Sequence, residues 1–436
     1  MKYLLFAIAY FSIFVLGFFG RGRRGFVQFL AWLLTCLLWV ELPSIQFFAD
    51  LAYRGTDQGF EITAIDLVAW LLFFLLPKGV PGPYRKVQVA YFAMAFLAVF
   101  FSEMPLYGAF TLWKLLRLYV FVVVVWRLCQ EEQLILCLLN GLALGMLLEA
   151  GLCLKLRYVD HMHQVAGTFP HQNSLGMALN LALPILLLRY LSTGHLLSVA
   201  GLLAGCLALV LTLSRGSIFV GILGLILAFL TSFLYSFSVR KVFLSVMGAT
   251  VLLLLGAKSA DSIRLRFQHA PEASGRARDL FEDAASLMVE DHPGGVGLNL
   301  YSYYNHQLYG QRVGLPAGDM GGVAHNIYWL TIAELGWLGL ACLLLQYFFV
   351  MLVALWGAWR GRWTAWGPIS AGCAIGLGTM YIQGFFEWVA RQTVQSYFFW
   401  LVAVVALAAS RVDSVSPCTE ESLAVKREVR QRGLLG

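Results

Sequence analysis

The strongest constraint on this chain is a recurrence of apolar stretches, nearly free of charge and around eighteen residues long, from one end of the sequence to the other. A stretch of that length crosses the hydrocarbon core of a bilayer as one α-helix. Composition agrees, because 13% of the 436 residues are charged and 60% are hydrophobic, with a mean hydropathy of +0.74. A soluble globular chain carries about 25% charged residues. The expected fold is therefore all-α, a polytopic bundle of about 12–13 transmembrane helices. The spans are drawn at 2–20, 26–43, 61–77, 87–102, 107–126, 134–154, 173–191, 196–213, 216–237, 242–257, 336–357, 366–384 and 393–410. The first run resembles a secretory signal, but its basic cluster (Arg21, Arg23, Arg24) follows it and no small-residue cleavage site appears, so it reads as a retained anchor.

Alternate short connections are basic: Arg21/Arg23/Arg24, Lys78/Arg85/Lys86, Arg127, Arg189, Arg240/Lys241, Arg360/Arg362 and the tail beyond Arg411. The positive-inside rule makes these cytoplasmic and sends 44–60, 155–172, 258–335 and 385–392 to the opposite face. Four regions follow: a transmembrane block over 1–257, a partly helical outer loop over 258–335, C-terminal spans over 336–410 and a basic cytoplasmic tail over 411–436. Within the long loop, 279–289 (DLFEDAASLMV) places Leu280, Ala284, Leu287 and Met288 on one face, as in a small amphipathic helix. The net charge of +7 calls for anionic lipid head groups rather than nucleic acid. Seven of the eight cysteines lie in or beside apolar runs with no CxxC pair, as packing residues would.

Ionisable groups at the outer ends of spans carry the chemical information, since a charge at membrane depth needs a functional or a pairing reason. Arg215 sits in a Ser-Arg-Gly-Ser break between two spans, where a guanidinium can grip a lipid-linked phosphate through two hydrogen bonds or merely snorkel from a turn. Arg264, Arg266, Arg276 and Arg278 crowd the start of the long loop, against the topology rule, either to meet an anion or to pair with Glu272, Asp279, Glu282 and Asp283. His325, followed by Asn326, stands where the loop returns to the membrane and suits proton transfer near neutral pH or a hydrogen bond to phosphate. His171 lies in Gly-Thr-Phe-Pro-His-Gln-Asn with Asp160, His161 and His163 upstream; their spacing matches no standard metal site, and Asn173 is the expected helix cap. Lys114 and Arg117 share a helix face, and Glu387 and Arg391 are spaced i, i+4 by the last outer connection. The chain has no P-loop, GxSxG, HExxH or Asp-x-Asp motif, so no metal or cofactor is expected.

Four segments, in order, resemble the O-antigen ligase and polymerase superfamily of bacterial envelope polysaccharide assembly: GTFPHQNSLG at 167–176, LSRGS at 213–217, SGRARDLFEDAASLMVEDHPGGVGLN at 274–299 and AHNIYWLTIAELGWLGL at 324–340. The last is similar to the ligase signature, with His325, Asn326, Gly336 and Gly339 in register. One departure is Gln172, where relatives often carry proline. The resemblance implies a multi-pass inner-membrane enzyme that transfers a glycan from undecaprenyl diphosphate, at the periplasmic face, to an acceptor. That acceptor is lipid A–core in ligases, another lipid-linked repeat in polymerases and a protein side chain in other relatives. It implies that Arg215 and Arg276 hold the diphosphate and that His325 acts at the acceptor hydroxyl, without metal. Arg264, Arg266, Arg278, His171, Asn326, Lys114 and Arg117 join them as expected substrate-binding residues. The competing class is a transporter or flippase, which would place charges deep in several helices rather than on one face.

Overall fold

A computed structural model describes residues 2–40, 42, 44–79, 82, 84–238, 241–242 and 272–412. All but the first residue of the expected span 242–257, together with Arg264, Arg266 and the tail beyond residue 412, lies outside the described residues. The other twelve expected spans each coincide with a helix: α1 (Lys2–Gly20), α2 (Arg24–Cys36), α3 (Ala64–Leu75), α4 (Arg85–Phe100), α5 (Pro105–Leu128), α6 (Glu132–Tyr158), α7 (Gln172–Thr193), α8 (Leu196–Leu211), α9 (Arg215–Ser232), α11 (Ile327–Arg360), α12 (Trp366–Gln383) and α13 (Thr393–Val412). Among the described residues, α5, α6, α7, α9, α11 and α13 are long and apolar enough to cross a membrane. The chain is an integral membrane protein of the all-α polytopic class.

α7 and α13 form the centre, buried on nearly every face. Around α7 pack α8, α9, α12 and α13, while α2 and α8 flank α6. Without a hydrophobic drive between helices in lipid, close backbone contact supplies the adhesion. Gly372 and Gly376 of α12 meet the backbone of α7 so closely that an added Cβ would stand 2.6 Å from Ile185 Cα and 2.3 Å from the Leu181 carbonyl oxygen. The outward faces carry large exposed apolar side chains, among them Phe19, Phe100, Phe219, Trp337 and Phe348, as a lipid-facing surface requires.

Two features go beyond the expected bundle. The first outer connection contains an antiparallel hairpin, β1 (Ile45–Ala49) and β2 (Gly59–Ile62), and leads into α3 through a Thr63–Asp66 capping box. In the long loop the amphipathic helix is present as α10 (Glu272–Asp291), longer than its apolar periodicity suggested. α10 lays Phe281, Ala284, Ala285 and Met288 into a small core with Tyr301, Tyr309, Leu330 and Ala333.

α11 starts at Ile327, ahead of the span expected from residue 336, and breaks at Gly336 with φ 66° and ψ −171°. The break frees carbonyls that the loop takes up: Val296 N–H donates to Ala333 O and Gly297 N–H to Glu334 O, both at 2.9 Å. A Cβ at Gly336 would lie 2.6 Å from the Pro293 carbonyl oxygen, so only glycine allows both this φ and this approach. The loop is thereby bolted to the helix that follows it.

Candidate active site

Connections that the charge pattern assigns to the non-cytoplasmic face converge at one end of the bundle. Asn299, in left-handed backbone (φ 62°), donates from Nδ2 to the carbonyls of Asp57 (2.8 Å) and Tyr107 (2.9 Å), tying the long loop to the hairpin connection and to α5. Glu334 on α11 is buried and accepts from Arg391 Nη2 at 2.6 Å. Lys114 on α5 pairs with Asp57 at 2.6 Å and donates to the Arg391 carbonyl at 2.7 Å. Arg117 forks between Asp66 (2.6 Å) and Glu61 (2.8 Å). These buried charges are paired, as burial demands. Lys114 and Arg117 therefore brace the end of the bundle, with acids from the hairpin segment as counterions.

A second cluster centres on Glu387, buried in the turn between α12 and α13. Its Oε1 accepts from Arg278 Nη2 at 3.0 Å and from Asn173 Nδ2; its Oε2 lies 3.7 Å from His325 Nδ1. That last separation exceeds hydrogen-bond reach and is an electrostatic contact, and His325 Nδ1 has no hydrogen-bond partner. His325 is held by its neighbour, because Asn326 caps α11, accepting from Tyr328 N–H (3.0 Å) and Trp329 N–H, while its Nδ2 donates to Glu282. Asn326 is thus committed to positioning the loop.

His171 stands at the opposite wall. It caps α7 through Nδ1, which accepts from Asn173 N–H at 3.2 Å. The expected cap, Asn173, instead reaches Glu387, because His171 occupies the residue before the first helical turn. Burial holds the His171 imidazole below its ordinary pKa, opposed by Glu387 and reinforced by His325 and Arg278. The preceding turn is fixed by Glu149 of α6, which accepts from Thr168 N–H at 2.8 Å. Gly167 (φ +62°) leaves room for that carboxylate, which would lie 1.6 Å from a Cβ. His161 and His163 are exposed, and among the described residues no group of three His, Cys, Asp or Glu is arranged to hold a metal.

The Ser-Arg-Gly-Ser break opens α9. Ser214 caps it, accepting from Ser217 N–H, and Ser217 Oγ accepts from Gln383 Nε2 at 3.0 Å. Gly216 lies against the Phe386 ring, next in sequence to Glu387. Arg215 opens the helix whose Gly216 packs on Phe386, and is exposed, with no ion pair or hydrogen bond among the described residues. Arg276, on the first turns of α10, is likewise exposed and unpaired among the described residues, two positions before Arg278. Guanidiniums without a partner among the described residues, one of them at the N-terminal end of α9 where backbone N–H groups and the helix dipole also favour anions, suit a phosphate-bearing ligand.

The structure thus brings His325, Arg278 and His171 together around Glu387, with the start of α9 packed on Phe386, while Lys114 and Arg117 belong to a separate ion-pair network. Glu387 and Glu334 organise the two clusters; in the sequence Glu387 stands only as a weaker candidate paired with Arg391, and Glu334 is given no role there. Residues 200–344 match the family model described as O-antigen ligase, a stretch that contains Arg215, Arg276, Arg278 and His325. No curated protein sequence matches the chain.

Proposed function

We propose, from the chain's place in the O-antigen ligase and polymerase superfamily, that it transfers a glycan from undecaprenyl diphosphate to an acceptor hydroxyl at the periplasmic face of the bacterial inner membrane. The observation that carries this reading is the electrostatic contact of His325 Nδ1 with buried Glu387, which also holds Arg278. In the reaction the acceptor oxygen attacks the anomeric carbon of the donor sugar, its proton passes to His325, and the bond from that carbon to the diphosphate oxygen breaks. Glu387, facing Nδ1, favours the tautomer that leaves Nε2 free as base and stabilises the imidazolium that forms. The leaving diphosphate gains negative charge, which Arg215 and Arg276 stabilise more than the ground state, the condition for lowering the barrier. Attack opposite the leaving group inverts the anomeric configuration. Arg278, already bonded to Glu387, orients that carboxylate and presents its remaining donors to the same anion.

Ligation is favoured over polymerisation of lipid-linked repeats by the His325–Gly339 signature. Purified protein incubated with a lipid-linked glycan and, separately, lipid A–core, a second lipid-linked repeat or a protein acceptor distinguishes them by which product forms. Formation of longer lipid-linked glycan alone would assign it as a polymerase, and no product with any acceptor would remove the transferase reading.

A further inference from the structure

A cavity of about 500 Å³ lies under the β1–β2 hairpin, between the Phe169–Pro170 turn and the segment leading into α13. Its size is within the roughly 300–1,000 Å³ range of small-molecule sites. The lining mixes apolar side chains, Leu37, Val40, Leu42 and Ile65 among them, with polar ones of a single kind. Gln46, Gln58, Glu61 and Gln392 present amide and carboxylate groups, Phe169 and Trp388 present aromatic rings, and no described lining residue is Lys, Arg or His. Glu61 gives Oε1 to Arg117 and Thr393, while Oε2 has no partner among the described residues. Both oxygens of Asp57 are taken by Lys114.

Such a wall offers an anion no partner, since no cation lines it and its two carboxylates are already matched by Lys114 and Arg117 behind it, and a lipid tail would strand its polar groups. A sugar fits it, because ring hydroxyls both donate and accept, as amides and carboxylates require, and the C–H faces of the ring lie flat on aromatic side chains. Position adds the second argument. Trp388 adjoins Glu387 and Pro170 adjoins His171, so two lining residues neighbour members of the His325–Glu387 cluster along the chain, whereas the start of α9, at Gly216, packs on Phe386. We infer that this cavity binds a neutral, hydroxyl-rich saccharide, the terminal sugar of the acceptor, and delivers its hydroxyl to His325. The inference rests on the glycan-transfer reading for the role of the sugar. Every lining residue falls outside 200–344, so the site that selects the acceptor is separate in sequence from the segment matched to the family.

The test uses the full-length protein in lipid nanodiscs and a panel of neutral tri- to pentasaccharides of hexoses and N-acetylhexosamines, with the same sugars bearing a phosphate as controls. Calorimetry and saturation-transfer NMR report binding. At least one neutral sugar binds the wild type, the phosphorylated forms bind worse, and Gln46→Ala and Gln392→Ala each weaken binding roughly three- to tenfold, the scale of one lost net hydrogen bond. Ser44→Trp, which fills the cavity, abolishes it, while all three variants bind the lipid-linked donor normally. No neutral sugar bound, equal affinity in the variants, or preference for the phosphorylated forms would each overturn the assignment. Sugar binding that the variants lose, in a protein that transfers no glycan, would keep the saccharide site and overturn its role as acceptor site.

Discussion

Arginine is the residue whose geometry the proposed chemistry depends on most. A lysine in its place keeps the charge but loses the planar fork that grips two phosphate oxygens at once. Arg215→Lys and Arg276→Lys are each expected to weaken donor binding and to slow transfer by about 10²-fold, the usual scale for one lost charge-stabilising donor. Wild-type behaviour in both would place the diphosphate elsewhere. His171 makes a different prediction. Its folded pKa is depressed by burial, so the neutral form, which accepts the Asn173 N–H bond, is the one the fold prefers. The stability it contributes is present above the unfolded value of about 6.5 and is lost as pH falls through the lower folded value. Thermal stability in detergent should decline over that acidic window, and His171→Asn, which caps without titrating, should flatten the decline. An unchanged profile would show that the imidazole does not carry it.

At the scale of elements, the kink in α11 joins the long loop to the membrane helices. Gly336→Ala imposes a left-handed φ on a side chain and drives a Cβ into the Pro293 carbonyl, so a loss of at least about 1–3 kcal/mol is expected. Glu334→Gln leaves Arg391 buried without its counterion and should cost about 3–5 kcal/mol. Denaturant melts of both variants check this, and a melt like that of the wild type for either would mean that the loop is held elsewhere. These contacts mark the limit of what the sequence discloses. The helices were legible because each apolar run is a local signal, and His325, Arg215 and Arg276 stood out through their motifs. Glu387 and Arg391 read as an i, i+4 pair, yet the chain between α12 and α13 does not run on as one helix, and they take different partners, Arg278 with His325 and Glu334. Lys114 and Arg117 read as free cations because their counterions come from a hairpin whose return no helical periodicity announces; three acids at 57, 61 and 66 were the available sign.

For the whole molecule, the account needs the outer loop and the C-terminal tail on opposite sides of the membrane. Impermeant labelling of cysteines placed at Gly294 or Gly318, both exposed with open space around them, and at Ser414, on vesicles of known sidedness, should modify the first two from the periplasmic side and the last from the cytoplasmic side. Labelling of all three from one side would contradict it. On the proposed mechanism His325 removes the acceptor proton while arginines, without metal, hold the donor. The most direct measurement of that mechanism is donor binding and glycan transfer side by side, for wild type and His325→Ala, with chelator present throughout. The account predicts a wild type that is fully active in chelator, and a variant that binds donor normally but transfers roughly 10²–10⁴-fold more slowly. A variant that transfers at the wild-type rate, or a wild-type activity that returns only with Mg²⁺ or Mn²⁺, would contradict it.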